Sequence, residues 1–116
     1  MKKPYDVNLI ADYIIIRLNS DEKLNLINLK LQKLLYYVQA WSLGINQERF
    51  LKCDFEAWAH GPVSRVLYNR FKDTKNLYSF INETDVINKN PEAEILKDDI
   101  DFINFILDNY AGFSGA

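Results

Sequence analysis

The chain holds one cysteine and one histidine, Cys53 and His60, seven positions apart. A thiol and an imidazole brought together make a nucleophile and its base. Such pairs are made by the fold, however, and this spacing has no mechanical meaning by itself; no Asn or Asp is marked as a third member. The histidine also lies in Phe55-Glu56-Ala57-Trp58-Ala59-His60-Gly61-Pro62-Val63, four residues after a carboxylate. Glu56 and His60 could serve as an acid–base pair on a small substrate. The competing reading makes His60 structural, its ring nitrogens bonding backbone groups near a helix start and its face set against Trp58 or a tyrosine. That reading is preferred, so no catalytic residue is assigned. One cysteine and one histidine cannot form a conventional zinc site, and no metal or other cofactor is expected. Cys53 itself reads as a small buried side chain.

Other function classes are limited by composition. The formal charge is −2 and the sequence pI about 5.3, a poor balance for neutralising phosphates, so a nucleic-acid partner is disfavoured. Glycine-rich phosphate loops and nucleophile elbows are missing. The apolar run at Ile14-Ile15-Ile16 is interrupted by Asp12 and Arg17, which suits neither a signal peptide nor a membrane span. A cytoplasmic protein without a membrane partner is expected. The aromatic residues Tyr36, Tyr37, Trp41, Phe50, Phe55, Trp58, Tyr68 and Phe71 serve mainly as core, with any exposed minority suited to binding protein.

The elements that would position these residues are mainly helical: four to five helices around a buried central one. The first spans 6–18 on the spacing of Val7, Ile10, Ala11, Ile14 and Leu18, with Leu9, Tyr13 and Ile16 as a second apolar side. The central helix spans 28–43. Ile27, Leu31, Leu34, Val38, Trp41 and Ile45 share one face, and Leu29, Tyr36, Ala40 and Leu43 the opposite one. Apolar on both sides, it should be buried. Its polar residues form two seams, Asn28-Gln32-Gln39 and Lys30-Lys33, and Gly44 is read as its stop. A short strand is expected at 54–58. Pro62 is then read as the first residue of a third helix, with Val63, Leu67 and Phe71 inward and Arg65, Asn69 and Lys72 outward. A loop over 73–91 precedes a fourth helix from Pro91 to Tyr110, striped by Leu96, Ile100, Ile103, Leu107 and Tyr110. Its outer arc sets Phe105 among Asp98, Asp101 and Asp108. Gly112 followed by Ser114 resembles a stop and a new cap, so the sequence reads as one domain, 1–116, truncated before a final helix.

Two stretches carry a family resemblance when taken in order. The first is Leu29-Lys30-Leu31-Gln32-Lys33-Leu34-Leu35-Tyr36-Tyr37-Val38-Gln39-Ala40-Trp41; the second is Phe55 to Val63, with Tyr68 five residues on. Together they resemble the Panacea domain of the SocA-like antitoxins, which often occur in prophages, over about 6–116. The resemblance implies an antitoxin that binds and neutralises a protein toxin encoded nearby. A cellular protease is a further partner, because one member of the family delivers its toxin to one. The matching residues are Gln32, Lys33, Tyr36, Gln39, Trp41, Glu56, Trp58, His60, Gly61, Pro62, Val63 and Tyr68, as scaffold or partner-binding positions. Family members continue into a further helix and a Thr-His…Pro-Trp ending, which this sequence does not reach. Gln32 and Gln39, two turns apart, are expected to bond the 55–58 strand and the His60 region, with Tyr36 and Trp41 anchoring the fold. Arg65, Asn69, Lys72 and Phe105 are the candidate toxin contacts, and the 73–91 loop is a further variable surface. A small enzyme using Glu56 and His60, or a regulatory protein of a prophage, is the alternative.

Overall fold

The computed structural model describes residues 2–20 and 25–112. It is mainly α-helical, with a two-stranded antiparallel hairpin. Helix α1 (Val7–Asn19) starts at Asp6, whose Oδ1 accepts the Asn8 N–H at 2.8 Å, the usual way a side chain satisfies a free helix N–H. It buries both of its apolar sides, Ile10, Ile14 and Leu18 together with Tyr13 and Ile15. Helix α2 (Asn28–Trp41) has no side-chain cap. Loop carbonyls replace one: Ser79 O accepts from Asn28 N and Leu77 O from Leu29 N, at 2.9 and 2.7 Å.

Several boundaries depart from the sequence reading, each for a physical reason. The central helix does not stop at Gly44. It widens into a π-helical turn, Ser42–Asn46, and ends where Gln47 takes a left-handed φ of 53°. Ser42 Oγ donates to Glu48 O at 2.7 Å and draws the chain back there. The wider turn takes Ile45 and Leu43 off the expected buried faces, leaving both exposed. Pro62 does not start a helix either. Strands β1 (Phe55–Trp58) and β2 (Gly61–Ser64) pair as Phe55 with Ser64, Glu56 with Val63, Ala57 with Pro62 and Trp58 with Gly61. Gly61 has a φ of +125°, where a side chain would be strained. Helix α3 (Arg65–Phe71) follows, capped by Ser64, whose Oγ accepts the Leu67 N–H.

The fourth helix begins later than Pro91. Pro91–Glu94 is a 3-10 turn, Ile95 and Leu96 are extended, and α4 is Lys97–Tyr110. Ile95 is drawn into the core, and the Leu96 N–H goes to Tyr5 Oη at 3.1 Å, so the helix restarts beyond it. Leu96 is therefore exposed rather than part of the buried stripe, while Ile100, Ile103, Ile106 and Leu107 are buried. The 73–91 loop is fixed by a 3-10 turn, Glu83–Asp85, and by Ile81 and Val86 reaching the core. The cap expected at Ser114 lies outside the described residues.

Three buried polar connections tie these elements together. Tyr5 Oη donates to Asp99 Oδ2 at 2.6 Å, joining the N-terminal segment to α4. Asp12 on α1 is 2% exposed and paired with Arg70 on α3. The α2 glutamines, described below, form the third.

Tyr5 gives the fold a pH dependence. Burial, reinforced by the bond to Asp99, pushes its phenol from 10.0 up to about 12. The folded chain holds this proton more tightly than the unfolded chain. The stabilisation is therefore complete below about pH 10 and is lost as pH rises through about 12. It amounts to about 2–3 kcal/mol. Urea unfolding between pH 8 and 12 should show this alkaline decline, flattened in Tyr5→Phe, which is also less stable at neutral pH.

Candidate functional site

The site grows from the two glutamines of α2, which hold the hairpin in place. Gln32 is completely buried; its Oε1 accepts the Ser64 N–H at 2.8 Å and its Nε2 donates to Ser64 O at 3.1 Å. The side-chain amide thus replaces a strand at the inner edge of β2. Gln39, seven residues on and so about 10 Å along the helix, repeats the device. Its Oε1 accepts from Phe50 N and Leu51 N at 2.9 Å each, and its Nε2 donates to Leu51 O at 3.2 Å. The same segment pairs on its other side with Tyr5. The glutamines therefore bond backbone as expected, but at Ser64 of β2 and at 50–51 rather than at β1 or His60.

With β2 and the start of α3 fixed, alternation along β1 places Glu56 and Trp58 on one face. Arg65, one residue past the hairpin, meets both. Its Nη2 and Nε donate to Glu56 Oε1 and Oε2 at 2.9 and 3.1 Å, and Trp58 Nε1 also donates to Oε1 at 3.1 Å. The guanidinium lies 4.8 Å from the Trp58 ring, which meets the Tyr68 ring edge-on at 4.8 Å. Hydrogen bonds from Arg65, then Trp58, hold the Glu56 carboxyl below its ordinary range. Four side chains from β1 and α3 are thereby locked at the surface: Arg65 and Glu56 side chains remain 53% and 45% exposed.

His60 is not the buried junction residue expected. It is exposed at the hairpin tip, its Nδ1 2.9 Å from the Tyr78 hydroxyl and its ring edge-on to that tyrosine. The tyrosine neighbour was anticipated in kind; the backbone bonds were not found. Glu56 is bonded to Arg65 and Trp58 rather than to His60, so the sequence's candidate acid–base pair is not assembled. Cys53 is buried, and burial pushes its thiol up, away from thiolate chemistry. Beside Trp58, His60 and Tyr68 runs an open groove of roughly 580 Å³, lined also by Lys72 and Asn76–Tyr78.

The remaining candidates lie elsewhere. Asn69 and Lys72 are exposed at and just beyond the end of α3, and Val63 is buried beneath the hairpin. Lys33 is half-buried with its stem near Gly61. Tyr36 is 38% exposed rather than buried, its ring edge-on to Phe55 at 5.5 Å. Trp41 is half-buried between α2 and α4, donating to Tyr110 Oη at 3.0 Å and meeting Phe105 edge-on at 5.8 Å. Phe105 is 46% exposed on α4, its ring against Trp41 rather than the Arg65 cluster. Sequence reasoning missed the Glu56–Arg65 clasp because a helix begun at Pro62 would have turned Arg65 away; Ser64, a good cap three residues before Leu67, was the available signal. It also missed Tyr78 as the partner of His60, for which loop sequence offers no periodicity.

The helical scaffold thus displays Arg65, Trp58 and Tyr68 together on one face, the residue types that are enriched in protein-binding hot spots. Among the described residues no group of His, Cys, Asp and Glu could hold a metal ion, and no helix is long and apolar enough to cross a membrane. The sequence matches the family described as antitoxin SocA-like, Panacea domain, over residues 31–116, and the chain belongs to that family. No curated protein and no solved structure matches it.

Proposed function

We propose that this protein is a cytoplasmic antitoxin, carried by a prophage or similar element, that neutralises a protein toxin encoded beside it by forming a stoichiometric complex. The face of Trp58, Arg65 and Tyr68 is its principal contact. The observation that carries the reading is the exposed clasp in which Arg65 is bidentate to Glu56 while lying against Trp58. Holding these side chains costs entropy that is already spent before binding, and Trp, Tyr and Arg are the residue types that dominate interface hot spots. Asn69, Lys72 and the 73–79 loop border this face and differentiate one toxin from another. Phe105 with Trp41 is a secondary contact. Delivery of the bound toxin to a cellular protease is a further role compatible with this surface.

The test is binding of the adjacent reading frame's product, measured by calorimetry. Trp58→Ala and Arg65→Ala should each weaken the complex at least tenfold, as hot-spot truncations of about 2 kcal/mol do. The Arg65→Ala urea midpoint should stay close to the wild type, since exposed ion pairs contribute only about 0–1 kcal/mol, and Trp58→Ala should remain folded, since its ring is only half-buried and lies outside the core. His60→Gln, which removes the imidazole but keeps a polar side chain, should neutralise the toxin undiminished. Wild-type binding by both alanine variants would place the contact elsewhere.

A further inference from the structure

The hairpin has two edges, and only one is occupied. Pro62 has no N–H, and Ser64 turns both its N–H and its carbonyl to Gln32. Positions 62 and 64 therefore face away from β1, and the ladder runs through Glu56–Val63 and Trp58–Gly61. By the same alternation Phe55 and Ala57 turn their N–H and carbonyl groups outward from β1. Neither residue's backbone has a further hydrogen-bond partner among the described residues. This free edge is flanked on one face by the Trp58–Arg65 clasp. On the other is a groove of roughly 420 Å³ with an apolar wall of Tyr36, Ala40, Leu43 and Phe55, bordered by the Arg49–Asp54 ion pair; Tyr36 and Leu43 are 38% and 46% exposed.

The geometry points to strand addition: an extended segment of the partner protein pairs with β1 through Phe55 and Ala57, placing apolar side chains at every second position into the Tyr36–Leu43 groove. Only an extended backbone offers donors and acceptors at the two-residue spacing of this edge. The groove selects the alternate side chains. A second copy of this chain is the weaker occupant. Four residues span only about 13 Å, and two such edges paired with each other fall far short of the roughly 800 Å² per partner that a stable interface needs. A toxin segment on this edge continues directly into the Trp58–Arg65–Tyr68 face. The inference rests on the antitoxin reading and specifies how the toxin is held.

Ala57→Pro separates this edge from the fold. The lost N–H points to solvent in the free chain, the position at which edge strands tolerate proline. Ala57→Ser retains the N–H. Titrated against the adjacent reading frame's product, Ala57→Pro should bind at least tenfold more weakly than the wild type, and Ala57→Ser should match it. Amide hydrogen exchange on the wild type needs no variant: Phe55 and Ala57 should exchange rapidly in the free chain and become protected in the complex. A complex in which both amides stay unprotected and Ala57→Pro binds normally overturns strand addition alone. No complex with the wild type overturns the antitoxin reading and this inference with it. Protection of both amides in the isolated chain, accompanied by a dimer on sizing, assigns the edge to a second copy and overturns the toxin segment.

Discussion

Arg70→Leu is expected to destabilise the protein by about 3–5 kcal/mol, because it strands a charge in the core. Asp12 is 2% exposed in the middle of α1, and its carboxylate is paired with the Arg70 guanidinium. Oδ2 also accepts the Asn88 N–H at 2.9 Å, and Oδ1 the Ile87 N–H at 3.3 Å. Arg70 reaches further, donating to Asp85 O at 2.9 Å. One ion pair thus fastens α1, α3 and the 85–88 segment. Removing the cation leaves two backbone donors to hold a buried carboxylate, which is too few. Replacing both members, as Asp12→Leu with Arg70→Leu, removes the unpaired charge, and should recover part of the loss while leaving Ile87 N and Asn88 N unbonded. Urea unfolding of the two single variants and the double variant gives the coupling directly. The single variants should also raise hydrogen exchange over 85–88.

Gln39→Leu is the second large effect, expected at about 2–4 kcal/mol. The substitution keeps volume but orphans Phe50 N, Leu51 N and Leu51 O in a segment that is itself buried. Each unsatisfied buried group costs about 1–3 kcal/mol, and partial relaxation toward water lowers the sum. Gln39→Glu distinguishes bonding from packing. A carboxylate can still accept the two N–H groups, but it cannot donate to the Leu51 carbonyl. It should be destabilised at neutral pH and regain part of the loss in acid, where the protonated form donates again. Thermal unfolding at pH 7 and pH 5 measures the difference. Gln32→Leu should act similarly on Ser64, with the added consequence that the hairpin loosens and the Arg65–Trp58 clasp loses its rigidity.

Much of this design was legible in the sequence. The periodicity of Val7 to Leu18 gives α1, and the two-sided apolar pattern with a narrow Asn28-Gln32-Gln39 seam gives a central helix with polar groups facing protein. The inward face of α3 followed from Leu67 and Phe71, spaced four apart, whereas Val63, read as the first residue of that stripe, is buried from β2 instead. What was not legible depends on partners distant in sequence. Asp12 looks like an interruption of an apolar run until Arg70, 58 positions away, is set beside it. The start of α3 was misplaced because proline and a preceding glycine are good local helix signals, whereas Gln32 occupies the Ser64 backbone and keeps 61–64 extended. Wheel geometry also failed at Ile45, since a π-helical turn changes the angle per residue. The clasp joining Glu56 to Arg65 then followed from the corrected boundary.

The central claim is that this chain neutralises a toxin through the hairpin and α3. Growth of cells co-expressing the adjacent reading frame with the full-length protein tests it most directly. The neighbour should be lethal alone, harmless beside the wild type or His60→Gln, and lethal again beside Trp58→Ala or Arg65→Ala, both still folded. A neighbour that is harmless alone, or that kills despite the wild-type protein, would contradict it.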